Sequence, residues 1–474
     1  MYEIIIGLEV HTQLATRSKA FCGCSTRFGA AANSQACPVC LGLPGTLPVL
    51  NRQAWEYALM TALALNCQAR EWTKFDRKNY FYPDLPKNYQ ISQYDCPLSQ
   101  NGYLDIELGQ GKQKRIGITR VHLEEDAGKL IHSQEDGCSY VDYNRAGVPL
   151  LEIVSCPDIR SPQEAYAYLT QLKAILSYLG VSDCDMEKGS LRCDANISLR
   201  RKGESKLGVK TELKNLNSFR SVKAALEFEA KRQRKIIDGG GDIAQQTLLW
   251  DEAGQRAVVM RSKEQAHDYR YFSEPDLAPF TLTPQEIKRI KDNLPELPQA
   301  RKARMKEAYG LSDYDLGVLV SDKALSDYFE HCARQYRNYK KLANWISGAF
   351  IAELNTRKIK ADEAKIAPGD FARLLQAVDG GRINNLGAKS ALSEMFSSGK
   401  GPEEVIRAQG LQQVSDKAEL ERMAREAIEE NPRPVADYRA GKENALMFLV
   451  GQIMRKSKGK ANPQMARQIL ISRL

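Results

Sequence analysis

Five of the chain's 19 prolines fall between Ser273 and Ala300: Pro275, Pro279, Pro284, Pro295 and Pro298. So dense a run sustains neither a long helix nor a central strand, because each ring fixes φ and removes a backbone donor. It marks a boundary, and the sequence changes texture across it. Before it lie short, β-branched, alternating runs that read as strands, among them Glu3–Val10, Arg115–Leu123, Leu150–Val154, Leu191–Leu199 and Val258–Arg261. Helices are expected from about Arg52 to Asn66, from Ser161 to Gly180, and from Ser218 to Asp238. The second opens as a capping box, Ser161-Pro162-Gln163-Glu164, and Gly180 fits its C-terminal cap. After the boundary, residues 301–474 read as helices stopped at Asp379-Gly380-Gly381, Gly399–Pro402 and Asn431–Pro434. The expected fold is α+β: a mixed-sheet domain over 1–272, a proline-rich linker over 273–300, then an all-α helical domain over 301–400 and a helical basic tail over 401–474.

Charge and hydropathy narrow the class. Apolar residues make up 43% and charged residues 27%, as in ordinary globular chains. No apolar run approaches the ~20 residues of a membrane-spanning helix. The opening, Met1–Gly7, has no basic region and no small-residue cleavage site, so a cytoplasmic setting is expected. The net charge is +9, and Arg433 to Leu474 holds nine Lys/Arg against two Asp/Glu. Such a basic segment attracts phosphate backbones, although a solvated helix face carries the same charge.

Four of the eleven cysteines are grouped as Cys22-Gly23-Cys24 and Cys37-Pro38-Val39-Cys40. Two close pairs can supply four thiolates to a tetrahedral zinc, and four thiolates leave no open position, so this zinc would be structural. A different chemistry is suggested by Glu9 and His11, two apart in a strand and therefore on one face. His122, Glu124 and Asp126 share a face in the same way, as do Asp194 and Asn196. Glu152 stands in an apolar run and needs a partner or an ion. Carboxylates with a histidine and an amide suit magnesium, while ordinary ion pairs at a sheet edge leave the same pattern. A third segment, Lys78–Tyr94, interleaves rings, cations and prolines. Its rings either stack on nucleobases or pack on the core. There is no phosphate-binding Gly-x-x-x-x-Gly-Lys-Ser/Thr loop and no Gly-x-Ser-x-Gly elbow.

Ile6–His11, Leu43–Pro48, Asp76–Tyr94, His122–Gly128, Gly189–Leu199, Glu212–Phe219 and Asp268–Phe272 together resemble the family of B subunits of aspartyl/glutamyl-tRNA amidotransferases, over essentially the full chain. The resemblance implies a cradle-like catalytic domain over 1–272, with the helical region ending in a tail that contacts tRNA. It implies a ligase forming carbon–nitrogen bonds with glutamine as amido donor, active in a heterotrimer whose other members are an amidase and a small third protein. ATP and magnesium would be used to phosphorylate the side-chain carboxylate of Glu-tRNA(Gln) or Asp-tRNA(Asn), and ammonia would then displace the phosphate. Residue by residue, it implies magnesium at Glu9, His11 and Glu124. Catalytic roles fall to these three and to Glu152, Asp194 and Asn196. Lys78, Tyr80 and Tyr82 would meet the substrate end, Arg192 and Lys214 the phosphates, and Arg455, Lys456, Lys458 and Lys460 the tRNA. Cys22, Cys24, Cys37 and Cys40 match the family's zinc-bearing branch. No Gly-Gly-Ser-Ser amidase signature is present, so ammonia comes from elsewhere. Without the resemblance, a zinc-containing RNA binder or a scaffold for an amidase would account for the cysteines, rings and basic tail.

Overall fold

A computed structural model describes residues 2–109, 111–133, 135–262, 269–412, 417–457 and 461–474. The chain forms two compact units, Met1–Pro298 and Gln299–Leu474.

The first unit contains sixteen strands in the described residues: β1 (Tyr2–Gln13), β2 (Gln68–Ala69), β3 (Trp72–Thr73), β4 (Asp76–Asn79), β5 (Tyr89–Ser92), β6 (Ser99–Glu107), β7 (Gln113–Glu125), β8 (Lys129–His132), β9 (Ser139–Asp142), β10 (Pro149–Ser155), β11 (Leu191–Arg201), β12 (Thr211–Lys214), β13 (Gln246–Asp251), β14 (Arg256–Ser262), β15 (Arg270–Ser273) and β16 (Phe280–Thr281). Nine of them make one sheet in the order β14-β13-β12-β11-β1-β10-β7-β6-β2. Its pairs are antiparallel except β12 with β13, so the sheet is mixed.

The helices α1 (Arg52–Ala64), α2 (Pro162–Leu179) and α3 (Phe219–Asp238) pack on β7, β6 and β11. The strand alternation decides which residues they cover. Ile6, Leu8, Val10, Val121, Leu123, Leu151, Ile153, Ala195 and Ile197 are all buried in this core. The intervening residues face the other way, and there the polar ones collect. Ser161 caps α2 by accepting from the Glu164 N–H, and Gly180 ends it in the left-handed region at φ 68°. The expected capping box is only half made, because the Glu164 carboxylate accepts from the Arg160 N–H instead.

The proline-rich segment differs from the linker expected of it. Leu277, Leu282 and Ile290 are buried in the first core, and α4 (Pro284–Asp292) packs on α1. Proline at the first helical position forfeits no bond, since that N–H has no partner within the helix. Pro284 and Pro298 each open a helix in this way. The second unit is helical and holds two cores. One runs from Met305 to Ile406 and the other from Leu420 to Leu470. Their division lies after residue 400, because Val405 and Ile406 of helix Pro402–Ala408 belong to the earlier core.

Candidate functional site

The polar face of the sheet is organised in rows across the strands. His11 on β1 pairs with Arg192 on β11 and Glu152 on β10, and Glu152 pairs with His122 on β7. Directly opposed residues project on the same side, so Arg192, His11, Glu152 and His122 form one row. Glu124 stands two residues from His122 and joins it. The next row sets Glu9 opposite Asp194, with Lys214 of β12 ion-paired to Asp194. Gly7 and Asn196 form a third opposed pair.

Distances show which groups meet. His11 Nε2 lies 3.5 Å from Glu152 and 3.7 Å from Glu124. His122 Nε2 lies 3.3 Å from Glu152 and 3.6 Å from Glu124. The two carboxylates are thus bracketed by two imidazoles, with His11 21% exposed and His122 only 2%. Ser92 Oγ donates to Glu124 Oε2 at 3.1 Å. Burial opposes charge on both histidines, but Glu152 and Glu124 outweigh it, raising His11 and carrying His122 to about 9. Burial would raise Glu152, but His122 and His11 hold it well below the usual carboxylate range.

Donor atoms of His11, Glu124 and Glu152 all lie within 4.8 Å of one another, which could hold a metal ion. Of the three residues matched to magnesium, the structure brings His11 and Glu124 together and sets Glu9 one row away. Glu152 takes the third place in the group. Glu9 instead accepts from Asn196 Nδ2 at 3.0 Å. Its carboxyl is raised by burial and by the carboxylates of Glu152, Asp194 and Glu212. A divalent cation would relieve this crowding of acids, and oxygen donors are those magnesium prefers.

The cations are placed around these rows. Lys214 also contacts Glu212 at 3.1 Å. Arg192 Nη2 contacts Asp126 Oδ1 at 2.9 Å, while its buried Nε has no hydrogen-bond partner among the described residues. Asp126 is buried, accepts from Gln13 at 2.8 Å and lies 3.7 Å from Arg145. Burial works against its charge, and Arg192 and Arg145 hold it below the usual range.

The aromatic segment packs beside this face. β4, β5 and β15 form a small sheet, and β5 packs on β7. Tyr94 stacks on Tyr271 at 4.0 Å, and Lys78 Nζ lies 4.6 Å from the Tyr269 ring. Tyr80 meets Tyr269 edge-on. Burial, Asp84 and Glu124 raise the Tyr80 hydroxyl, whereas Tyr82 is exposed. Some of these rings are thus packed against other rings and some, such as Phe81 and Tyr82, are exposed.

His122 and Asp126, grouped with Glu124 from the sequence but given no individual role, stand in or beside the cluster, as do Glu212 and Tyr271, which were given none either. Strand alternation was the available signal for His122 and Glu212, which share faces with Glu124 and Lys214. Tyr271 gave no such signal, because only the pairing of β15 with β4 brings it here.

Sulfur atoms of Cys22, Cys24, Cys37 and Cys40 also lie within 4.8 Å of one another. The Cys37 N–H donates to Cys40 Sγ at 3.1 Å. Cys40 is pulled down to about 4 by the Cys22 thiol, against burial, with help from the Cys37 N–H and Lys19. Four converging sulfurs fit a structural zinc. In the second unit Arg455 is exposed, but Lys456 bonds Glu426 and Glu430 at 3.1 and 2.6 Å. Lys458 and Lys460 lie outside the described residues, as does Asp268. Among the described residues, no helix is long and apolar enough to cross a membrane.

Comparison with known proteins accounts for the whole chain. The GatB/GatE catalytic domain matches residues 4–288, and the GatB domain matches residues 327–474. Three relatives each bear the name of the B subunit of aspartyl/glutamyl-tRNA(Asn/Gln) amidotransferase. That of Carboxydothermus hydrogenoformans is 54% identical, covering 100% of this chain and 99% of its own. That of Caldanaerobacter subterraneus is 55% identical, covering 99% and 98%. That of Moorella thermoacetica is 55% identical, covering 100% of both. With both domains matched in order and identity above half from end to end, the chain belongs to the GatB family, the B subunits of aspartyl/glutamyl-tRNA amidotransferases.

Proposed function

We propose that this chain activates the side-chain carboxylate of Glu-tRNA(Gln), Asp-tRNA(Asn) or both by ATP-dependent phosphorylation, and that ammonia then displaces the phosphate to give the amide. The observation that carries this reading is the convergence of His11, Glu124 and Glu152 on the polar sheet face, with Arg192 and Lys214 beside them. A carboxylate accepts ammonia poorly because oxide leaves poorly, and phosphorylation supplies a leaving group. Magnesium, when bound, neutralises charge on the phosphoryl oxygens.

The protein's part is to position and to balance charge. His11, Glu124 and Glu152 hold the metal, and Glu9 supplies a further carboxylate towards Asp194. Asn196 orients Glu9 through its 3.0 Å hydrogen bond. Arg192, anchored on Asp126, and Lys214, anchored on Asp194, meet phosphate oxygens. Lys78, Tyr80 and Tyr82 receive the aminoacyl end. Covalent catalysis is not needed for this chemistry. Cys193, between the two site rows on β11, points into the apolar core, where burial raises its thiol well above the usual range.

The assembly is a cytoplasmic heterotrimer with an amidase and a small third protein. The amidase releases the ammonia, and the basic tail, Arg455 included, contacts tRNA. Zinc at the four cysteines is structural. The test co-expresses the three proteins and supplies ATP, magnesium, ammonium and labelled Glu-tRNA(Gln) or Asp-tRNA(Asn). Wild type is expected to form ADP and the amidated product. His11→Ala is expected to form neither while still binding tRNA. A variant as active as wild type would show that the metal group lies elsewhere. Wild type that forms no ADP with either substrate would leave the chain a scaffold or a binder.

A further inference from the structure

Lys19 is fully buried, at 0% exposure. Its ammonium has two polar neighbours, Cys40 Sγ at 3.5 Å and the Tyr143 carbonyl oxygen at 3.2 Å. Among the described residues it forms no ion pair with a carboxylate. Glu125, which lines the same cavity of about 200 Å³, is engaged by Lys87 at 2.5 Å. A buried ammonium without counter-charge is costly by several kcal/mol. Here the counter-charge can come from the sulfur cluster. Four thiolates around one zinc leave a net negative charge, and Cys40 is the thiolate nearest the lysine.

A second set of bonds runs from the same loop. Between the two cysteine pairs, Asn33 adopts the left-handed region at φ 58°, which asparagine tolerates. From there its N–H donates to Asp142 Oδ1 at 3.0 Å and its Nδ2 to the Val141 carbonyl at 3.0 Å. Its Oδ1 accepts from the Tyr143 N–H at 2.8 Å. The Gln35 N–H donates to Asn144 Oδ1 at 2.7 Å, and Asn144 Nδ2 donates to the Ala31 carbonyl at 2.6 Å. These bonds and that of Lys19 all end on residues 141–144. The next residue, Arg145, donates to the carbonyls of Ala127 and Gly128 and faces Asp126, the anchor of Arg192. The two-stranded hairpin β8–β9 that precedes it pairs with no other strand among the described residues, and such a hairpin has little stability of its own.

We infer that Lys19 is a positioning residue that couples retention of zinc to the order of residues 139–146, and through Arg145 to the guanidinium at the polar face. The inference rests on the zinc reading of the four cysteines and is independent of ATP or tRNA. With zinc bound, the sulfur cluster holds the ammonium, and the ammonium holds the Tyr143 carbonyl. With zinc removed, the four sulfurs are no longer held in one arrangement beside the ammonium, and the segment loses one of its anchors.

The test uses the full chain loaded with zinc or with cobalt. Lys19→Met is expected to release zinc to a chromophoric chelator about 10–100-fold faster, the usual effect of removing an outer partner of a metal ligand. The thiolate-to-cobalt absorption band should move to lower energy, because the N–H···S bond that stabilises the sulfur lone pair is gone. In wild type, stripping the zinc should itself speed amide exchange at 139–146. Asn33→Ala should speed that exchange while leaving the cobalt band in place. Release rate and band unchanged in Lys19→Met would overturn the inference. So would exchange at 139–146 indifferent to zinc in wild type, a measurement that stands even where the lysine variant does not fold. Wild type that takes up no zinc would sink the metal reading and this inference with it, leaving the phosphorylation proposal to its own test.

Discussion

Glu152 is the residue on which the site turns. It lies between His11 and His122 at 3.5 and 3.3 Å, and both imidazoles depend on its charge. Glu152→Gln keeps the shape and removes the charge. ADP formation by the assembled enzyme is expected to fall about 10²–10³-fold, with tRNA binding retained in a filter assay. Asp126 bears on stability. Its replacement by Asn takes a buried charged partner from Arg192 and Arg145, which are themselves partly exposed, and should lower unfolding free energy by about 1–3 kcal/mol in urea titrations. Sequence alone made Glu152 conspicuous as a charge in an apolar run. It did not show that its partners are two histidines 141 and 30 positions upstream. That pairing is a fact of register, and register is fixed by packing that no single segment contains. In the second unit, Glu330 answers to Arg304 and Arg301 and is held down to about 2, against burial. A carboxyl lowered from its ordinary value near 4.5 stabilises the fold above that pH and loses the contribution as pH falls towards 2. Glu330→Gln should therefore cost about 2 kcal/mol at pH 7, and the difference from wild type should shrink at pH 3.

Elements were legible where their local chemistry was complete. β1, β7, β10 and β11 were each foreseen by alternation; the first three run a residue or more past both expected ends, and β11 past its C-terminal end alone. Neighbouring strands extend the ladder beyond what the pattern of one strand reveals. The helix after Ser161 was bounded at both ends, since serine and glycine do their capping locally. Ser161→Ala should lower stability by about 1 kcal/mol, read as a shifted denaturation midpoint. The proline-rich segment misled because proline breaks a helix from inside and begins one from its first position. Only the placement of Pro284 and Pro298 distinguishes those cases. The small sheet β15-β4-β5 was the least legible element. β15 lies 191 positions from the strand it pairs with, counted from Arg270 to Asn79. Long-range pairing of that kind leaves no local trace in sequence.

At the scale of the molecule, two units with separate cores should not unfold as one. Calorimetry is expected to show more than one transition, with calorimetric and van't Hoff enthalpies unequal. Chelating the zinc should lower the transition of Met1–Pro298 and leave that of Gln299–Leu474 in place. The row arrangement of the polar face has one more consequence. Glu9, His122, Glu152, Arg192, Asp194 and Asn196, on β1, β7, β10 and β11, are each flanked by two residues of the apolar core. A slip of one residue in any of these pairings would drive Glu9, His11 or Glu152 into the layer of Leu8, Val10 and Leu151, and bring those apolar groups to the surface. Misfolded forms of this sheet are therefore expelled by the same charges that line the polar face. The site acts as the fold's own proofreader, and neutral substitutions there should yield chains that assemble less faithfully as well as ones that no longer react.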